Sequence, residues 1–260
     1  MIEFNLIILT NMKHLLFLNF FILLLFGILI FTEAIAQQGI TKYGERMVTN
    51  LDFVDKNGKI SSNVSLNSNG RILIVADYEG NVYKTAIIGN QTWMAENLKS
   101  TKYSDGTSIT GVYLYNTAFY VETYGRLYNW DAAMKNSTTE KTQGVCPVGW
   151  HLPSYAEWAD LSLFLGGDNV SGGKLKETGS LHWASTNFAT NESGFNALPG
   201  GYYANSTGYT RITEWADFWT STQFNANNSR FAGLIYNSTS LGLLGNIDKT
   251  NAYSVRCIKN

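Results

Sequence analysis

The chain has 260 residues, only 15% of them charged, and a formal net charge of −1. So sparse and balanced a charge offers no electrostatic reason to bind nucleic acid or an anionic membrane surface. Polarity comes instead from Asn, Ser, Thr and Gly, with aromatics at 14%, a composition that suits contact with neutral ligands such as glycans and suits a loop-rich extracellular fold equally well.

Lys13 and His14 are followed by seventeen uncharged, mostly apolar residues (15–31) and then by Ala34-Ile35-Ala36. A basic start, an apolar run and small residues at an A-x-A site predict a secretory signal peptide over residues 1–36, cleaved after Ala36. The alternative is a retained anchor, since roughly 20 apolar residues span a bilayer. Met12 makes a better start than Met1, because Glu3 is out of place in a basic leader. No cysteine lies near the cleavage site to carry a lipid. The expected location is the periplasm, the cell surface or beyond, with membrane contact only through the signal peptide.

Residues 37–76 lack Trp and carry turn signals at DKNG (55–58) and NSNG (67–70), with YEGN (78–81) just beyond. Asn-Gly supplies the positive φ that tight hairpins need, so a strand-rich leader or linker is expected here, followed by one domain over 77–260. NVYKTAIIG (81–89) reads as a strand, and NQTWMAENL brings Trp93, Met94 and Leu98 close together. Ser154 followed by Glu157 is a capping box that opens a helix. Trp158, Leu161 and Leu165 form its core stripe, and Gly166 and Gly167 end it. A second, weaker helix is expected around 125–134. From Gly172 onward dense glycine predicts loops and short strands, with strands at 218–222, 229–236 and 253–259.

Cys146 and Cys257 are the two cysteines. An even count in an exported chain predicts a disulfide. Closing a loop of about 110 residues contributes roughly 4–5 kcal/mol in the chain-entropy model. With His151 and His182 unpaired in spacing, no zinc site is expected.

Seven segments then follow one another in order: IGNQTWMAENLKSTKYSDG (88–106), YGRLYNWDAA (124–133), CPVGWHLPSYAEWADL (146–161), GGKLKETGSLHW (172–183), NESGFNALPGGYY (191–203), FWTST (218–222) and YSVRCIK (253–259). Over about 76–260 the chain resembles the Fibrobacter succinogenes major paralogous domain. The resemblance implies an α+β, C-type-lectin-like fold with short twisted sheets, one or two helices and a long Gly-rich loop region. It also implies a secreted or surface protein of Bacteroidetes-type bacteria. The Cys146–Cys257 bond fits such a domain, whose first and last strands come together. No reaction is implied. The calcium-bound sugar motifs of that fold class, Glu-Pro-Asn or Gln-Pro-Asp with Trp-Asn-Asp, are absent, and FWTST stands about where the last is expected, without its acid.

Trp183, Tyr202, Tyr203 and Trp215 in the Gly-rich half are the candidate ligand-binding residues, since aromatic faces stack on sugars and anchor partners. The alternative, which their number in a loop-rich domain favours, is that they fill the core, as Trp219 should within its strand. Glu177, Glu192, Glu214 and Asp217 are the acids available for glycoside hydrolysis, which needs two flanking carboxyl groups, but nothing in their spacing pairs them. His151 and His182 read as structural hydrogen-bonding residues, and Asp52, Asp55, Asp77 and Asp105 as turn formers. The expected function is a non-catalytic binding or structural module for a neutral glycan or a cell-surface protein, with no cofactor, metal or catalytic residue. One alternative is an enzyme distantly related to the formylglycine-generating group, which needs reactive, unpaired cysteines. The other is a surface-layer or adhesion protein without a small ligand.

Overall fold

The structure is a computed structural model and describes residues 53–54, 60–61, 74–115, 118–185 and 187–260. The segment expected to be a signal peptide and most of the expected leader, including Asp52 and Asp55, lie outside the described residues. Within the leader, β1 (Phe53–Val54) and β2 (Ile60–Ser61) pair antiparallel on either side of the DKNG segment.

The domain's first sheet starts at β3 (Ile74–Ala76), slightly before the expected boundary, because β3 pairs with β4 (Val82–Ile88). Asp77 builds the turn between them. Its Oδ1 accepts from the amides of Glu79 (2.9 Å) and Asn81 (3.0 Å), an Asx turn. β5 (Gln91–Met94) returns across Gly89 and Asn90, with Ile88 facing Gln91. The chain's end then joins this sheet: β15 (Ile258–Lys259) lies between β5 and β8 (Trp150–His151). The order is β3-β4-β5-β15-β8, all antiparallel. The Cys146–Cys257 disulfide forms beside it, with 5.9 Å between the Cα atoms. Both cysteines are fully buried among Met94, Trp150, Leu152 and Val255.

The second sheet runs β10 (Gly208–Thr210), β9 (Tyr202–Ala204), β14 (Ala252–Tyr253), β7 (Leu127–Asn129), β6 (Val112–Tyr113). The third is an antiparallel meander of β11 (Trp215–Gln223), β12 (Asn228–Ile235) and β13 (Leu241–Asp248). These longer strands contain FWTST and nearly coincide with SRFAGLIY, as their β-branched and aromatic content predicts. YSVRCIK is strand only at its ends, 253 and 258–259, with an irregular stretch between.

Among the described residues four helices accompany the sheets: α1 (Ala118–Tyr124), α2 (Trp130–Met134), α3 (Tyr155–Phe164) and α4 (Asp168–Leu175). The α3 capping box is present in both directions. The Ser154 side chain accepts from the Glu157 amide, and the Glu157 carboxylate accepts from the Ser154 amide at 2.8 Å. Trp158, Leu161 and Leu165 are buried as the stripe requires. Of the helix expected at 125–134 only Trp130–Met134 is helical, because Leu127 and Tyr128 pair into the second sheet as β7.

The glycine-rich start at Gly172, expected to be loop, lies in α4. Helix interiors disfavour glycine by about 1 kcal/mol each, but a Cβ on Gly172 would sit 2.2 Å from the Ser240 carbonyl oxygen. The Gly-Gly pair lets α4 pack directly on the backbone before β13, and the Gly173 amide donates to the Thr239 carbonyl (2.9 Å). Gly172→Ala is expected to destabilise the domain by about 2–3 kcal/mol, since backbone must move to admit the methyl. Urea unfolding of the variant measures this, and an unchanged midpoint would contradict the close packing.

Beyond α4, residues 177–200 form a long loop region with no strand or helix among the described residues. Two buried cations hold it. Lys176 Nζ donates to the carbonyls of Ile235 (3.0 Å), Tyr236 (3.0 Å) and Ser238 (2.7 Å). Arg256 donates to Asn97 Oδ1 (2.7 Å) and to the carbonyls of Phe195 and Asn196. Burial pulls Lys176 down to about 8 and Arg256 down to about 9. No helix among the described residues is long and apolar enough to cross a membrane.

Candidate functional site

Strand alternation sorts the second sheet's side chains onto two faces. Tyr128, Tyr253 and Tyr202 share one face: Tyr253 lies opposite Tyr128, and the Tyr202 and Tyr253 rings meet at 5.5 Å. This face packs into the main core with Trp219 and Phe231. The opposite face carries Tyr113, Leu127, Ala252, Tyr203 and Tyr209. Tyr113 pairs with Leu127, Ala252 with Tyr203, and Tyr203 with Tyr209. Ala252 is small and fully buried, so the rings on either side of it can close over. Tyr113 and Tyr203 stack at 4.3 Å between centroids, with 23° between planes.

The rings continue beyond this pair. Tyr203 meets Tyr209 at 5.1 Å and Tyr209 meets Tyr115 at 4.8 Å. Tyr115 meets Tyr120 at 5.7 Å. Tyr120 and Tyr124 lie four residues apart on α1, which places them on one side of the helix, with centroids 5.9 Å apart. Tyr124 then meets His182 edge-on at 5.8 Å. Tyr115 and Tyr124 are buried beneath, Tyr113, Tyr120, Tyr203 and His182 are half-buried, and Tyr209 is exposed. The result is a continuous tyrosine band packed on the buried Tyr115, Leu127 and Ala252.

Its chemistry is neutral. Burial raises the phenols of Tyr115, Tyr124 and Tyr209, so they stay protonated at ordinary pH. Asp217 lies on β11 with 2% exposure, and burial pushes its carboxyl up to about 8, so at pH 7 it holds its proton. Its Oδ2 and the Tyr115 hydroxyl are buried without a hydrogen-bond partner. Asp217 is therefore a buried neutral acid rather than half of a carboxylate pair. Glu192 and Glu214 meet Lys174 (3.5 Å) and Arg211 (3.0 Å) at the surface, while Glu177 accepts from His182 Nδ1 at 2.8 Å.

The four predicted aromatic residues do not form one site. Trp183 is 2% exposed and its Nε1 donates to the Ala197 carbonyl at 2.9 Å, so it belongs to the core and offers no face to a ligand. Tyr202 and Trp215 are half-buried and 6.1 Å apart, with the Arg211 guanidinium over Trp215 at 5.3 Å. Of the four, only Tyr203 stands in the band. Tyr113, Tyr115, Tyr120, Tyr124 and Tyr209 were not among the predicted residues. The sequence does carry a signal for them in Tyr113-x-Tyr115 and in the four-residue step from Tyr120 to Tyr124.

His151 uses both ring nitrogens, Nδ1 to Asn260 Oδ1 (2.6 Å) and Nε2 to Glu157 Oε1 (3.0 Å). Burial alone disfavours its charged form, but the bonds to Glu157 and Asn260 outweigh this and its pKa is raised. Glu157 is likewise penalised by burial, yet its bonds to His151, Ser154 and Lys141 hold it at about 2. This cluster ties α3 to the C-terminus and leaves no nitrogen free for base catalysis. Asp77 and Asp105 serve turns, Asp105 accepting from the Thr107 amide and from Lys135. Among the described residues no three His, Cys, Asp or Glu side chains gather as a metal site.

A neutral aromatic face on a disulfide-tied, sheet-rich α+β domain defines the class of the molecule. The family model of the Fibrobacter succinogenes major domain matches residues 87–259, and the chain belongs to that family. No curated protein and no solved structure matches it.

Proposed function

We propose that this is an exported, non-catalytic binding module of C-type-lectin-like fold, and that its tyrosine band contacts a neutral glycan. The observation that carries this reading is the band itself: contacting neutral rings, of which Tyr113, Tyr120 and Tyr203 are half-buried and Tyr209 is exposed over the buried Tyr115 and Tyr124. Ring faces stack on the C–H faces of sugars while phenols exchange hydrogen bonds with sugar hydroxyls. Export is supported by the pattern over residues 1–36 and by a buried disulfide, which persists in oxidising compartments. The lectin-like reading is supported by first and last strands that share a sheet beside that disulfide, and by the long loop region after α4. The enzyme reading needs unpaired cysteines, whereas Cys146 and Cys257 are bonded to each other.

Affinity electrophoresis of the purified protein in gels cast with β-glucan, xylan or mannan tests the proposal. At least one polysaccharide is expected to retard it, and Tyr203→Ala and Tyr113→Ala should each weaken retardation about tenfold, the worth of one stacked ring. Unretarded migration in every gel would sink it.

A further inference from the structure

The loop after α4 is pinned at both ends. Lys176 is fully buried on its three carbonyls, Trp183 is buried on Ala197, and the Lys176 ammonium lies 5.3 Å from the Trp183 ring centre. Between these anchors residues 178–181 are exposed, Leu181 at 83%. Glu177 and His182, the half-buried ends of the loop, bond to each other through Nδ1, at 2.8 Å to Oε2 and 3.0 Å to Oε1. A carboxylate only accepts, so Nδ1 donates to Glu177, and the tautomer this selects carries its lone pair at Nε2. That nitrogen has no hydrogen-bond partner among the described residues, and it is not one of the buried unpartnered atoms. Closing the loop needs Nδ1 alone. The free acceptor is held in a fixed orientation, edge-on to Tyr124, at one end of the tyrosine band.

We infer that the Glu177–His182 pair is a polar anchor of the glycan face, with His182 Nε2 accepting a ligand hydroxyl, and that the ligand is an oligosaccharide. This rests on the glycan reading above. From Tyr203 the rings run to His182 in five contacts of 4.8–5.9 Å, by way of Tyr209, Tyr115, Tyr120 and Tyr124. A single sugar is about the size of one tyrosine ring, so on this proposal it reaches one end only. A chain of linked sugars stacks at one end while a hydroxyl of a later unit meets His182. The pair thereby selects both length and the position of a hydroxyl, at small entropic cost because its loop is already fixed.

The test compares wild type, Tyr203→Ala, His182→Phe, His182→Gln and Glu177→Gln in the same β-glucan, xylan and mannan gels. Urea unfolding of each variant is measured alongside, and oligosaccharides and the free monosaccharide from the retarding polymer serve as competitors. His182→Phe keeps the ring on Tyr124 but removes both the Nδ1 bond and the Nε2 acceptor, so binding is expected to weaken about tenfold with at most a small fall in the unfolding midpoint, since the Lys176 and Trp183 anchors remain. His182→Gln, which restores an acceptor, should stay within about threefold of wild type, and Glu177→Gln should fall between them. Oligosaccharides should compete and the monosaccharide should not. If Tyr203→Ala loses binding while His182→Phe binds like wild type, the anchor is wrong and the glycan face stands. A parallel loss of stability and binding without rescue by His182→Gln reduces the pair to a loop clasp. Competition by the monosaccharide overturns the length argument, and wild type unretarded in every gel overturns both readings together.

Discussion

Replacing Cys146 and Cys257 together by alanine is expected to lower stability by about 4 kcal/mol, and the unfolding temperature by about 10 °C. The bond spans 111 residues of sequence, so cutting it returns a large loop-closure entropy to the unfolded chain. The native state also depends on it more than usual. β15 has two residues, and backbone bonds such as Met94 N–H to the Cys257 carbonyl (2.9 Å) and Leu98 N–H to the Val255 carbonyl (2.9 Å) hold the segment before it. That segment carries Arg256, which in turn holds the loop at Phe195 and Asn196. Loosening the C-terminus therefore loosens the loop region as well. Urea unfolding of the double variant reads the effect, and a midpoint equal to wild type would show that the tail is held without the bond.

Asp217→Asn is expected to stabilise the protein at pH 8 and to leave it little changed at pH 4. Burial raises the folded pKa to about 8 from the usual 3.8. Below the unfolded value both states hold the proton. As pH rises from about 4 to about 8 the unfolded carboxyl ionises while the folded one does not, so stability falls through that window and levels off above it. The expected loss across the whole window is roughly 6 kcal/mol. Asparagine has nearly the same shape and no proton to lose. The stability difference between variant and wild type should therefore grow with pH across this window, and a difference independent of pH would show that Asp217 is not a buried neutral acid.

Local signals carried well from sequence to structure. Ser154 and Glu157 specified their own capping box, and Gly166 and Gly167 ended α3, because those interactions span only a few residues. The disulfide followed from an even cysteine count together with the expectation of export. The failures are non-local. α4 was hidden because its Gly-Gly pair answers to the backbone at Ser240, almost seventy residues on, and not to helix propensity. Trp183 looked like a ligand-facing ring in a glycine-rich stretch, yet Ala197 and Lys176 enclose it. The band was missed because β14 brings Tyr203 to Tyr113 across the sheet, a pairing no local pattern announces. Tyr202 and Tyr203 are adjacent in sequence, and strand alternation sends them to opposite faces.

Hydroxyl-radical footprinting of the wild-type protein, with and without the polysaccharide that retards it, tests the glycan-binding band most directly. The account predicts protection of Tyr113, Tyr203 and Tyr209 on binding. Tyr155, half-buried against Arg230 (4.7 Å) and outside the band, should react equally in both samples. Protection at Tyr155 with no change at Tyr113, Tyr203 and Tyr209 would contradict it.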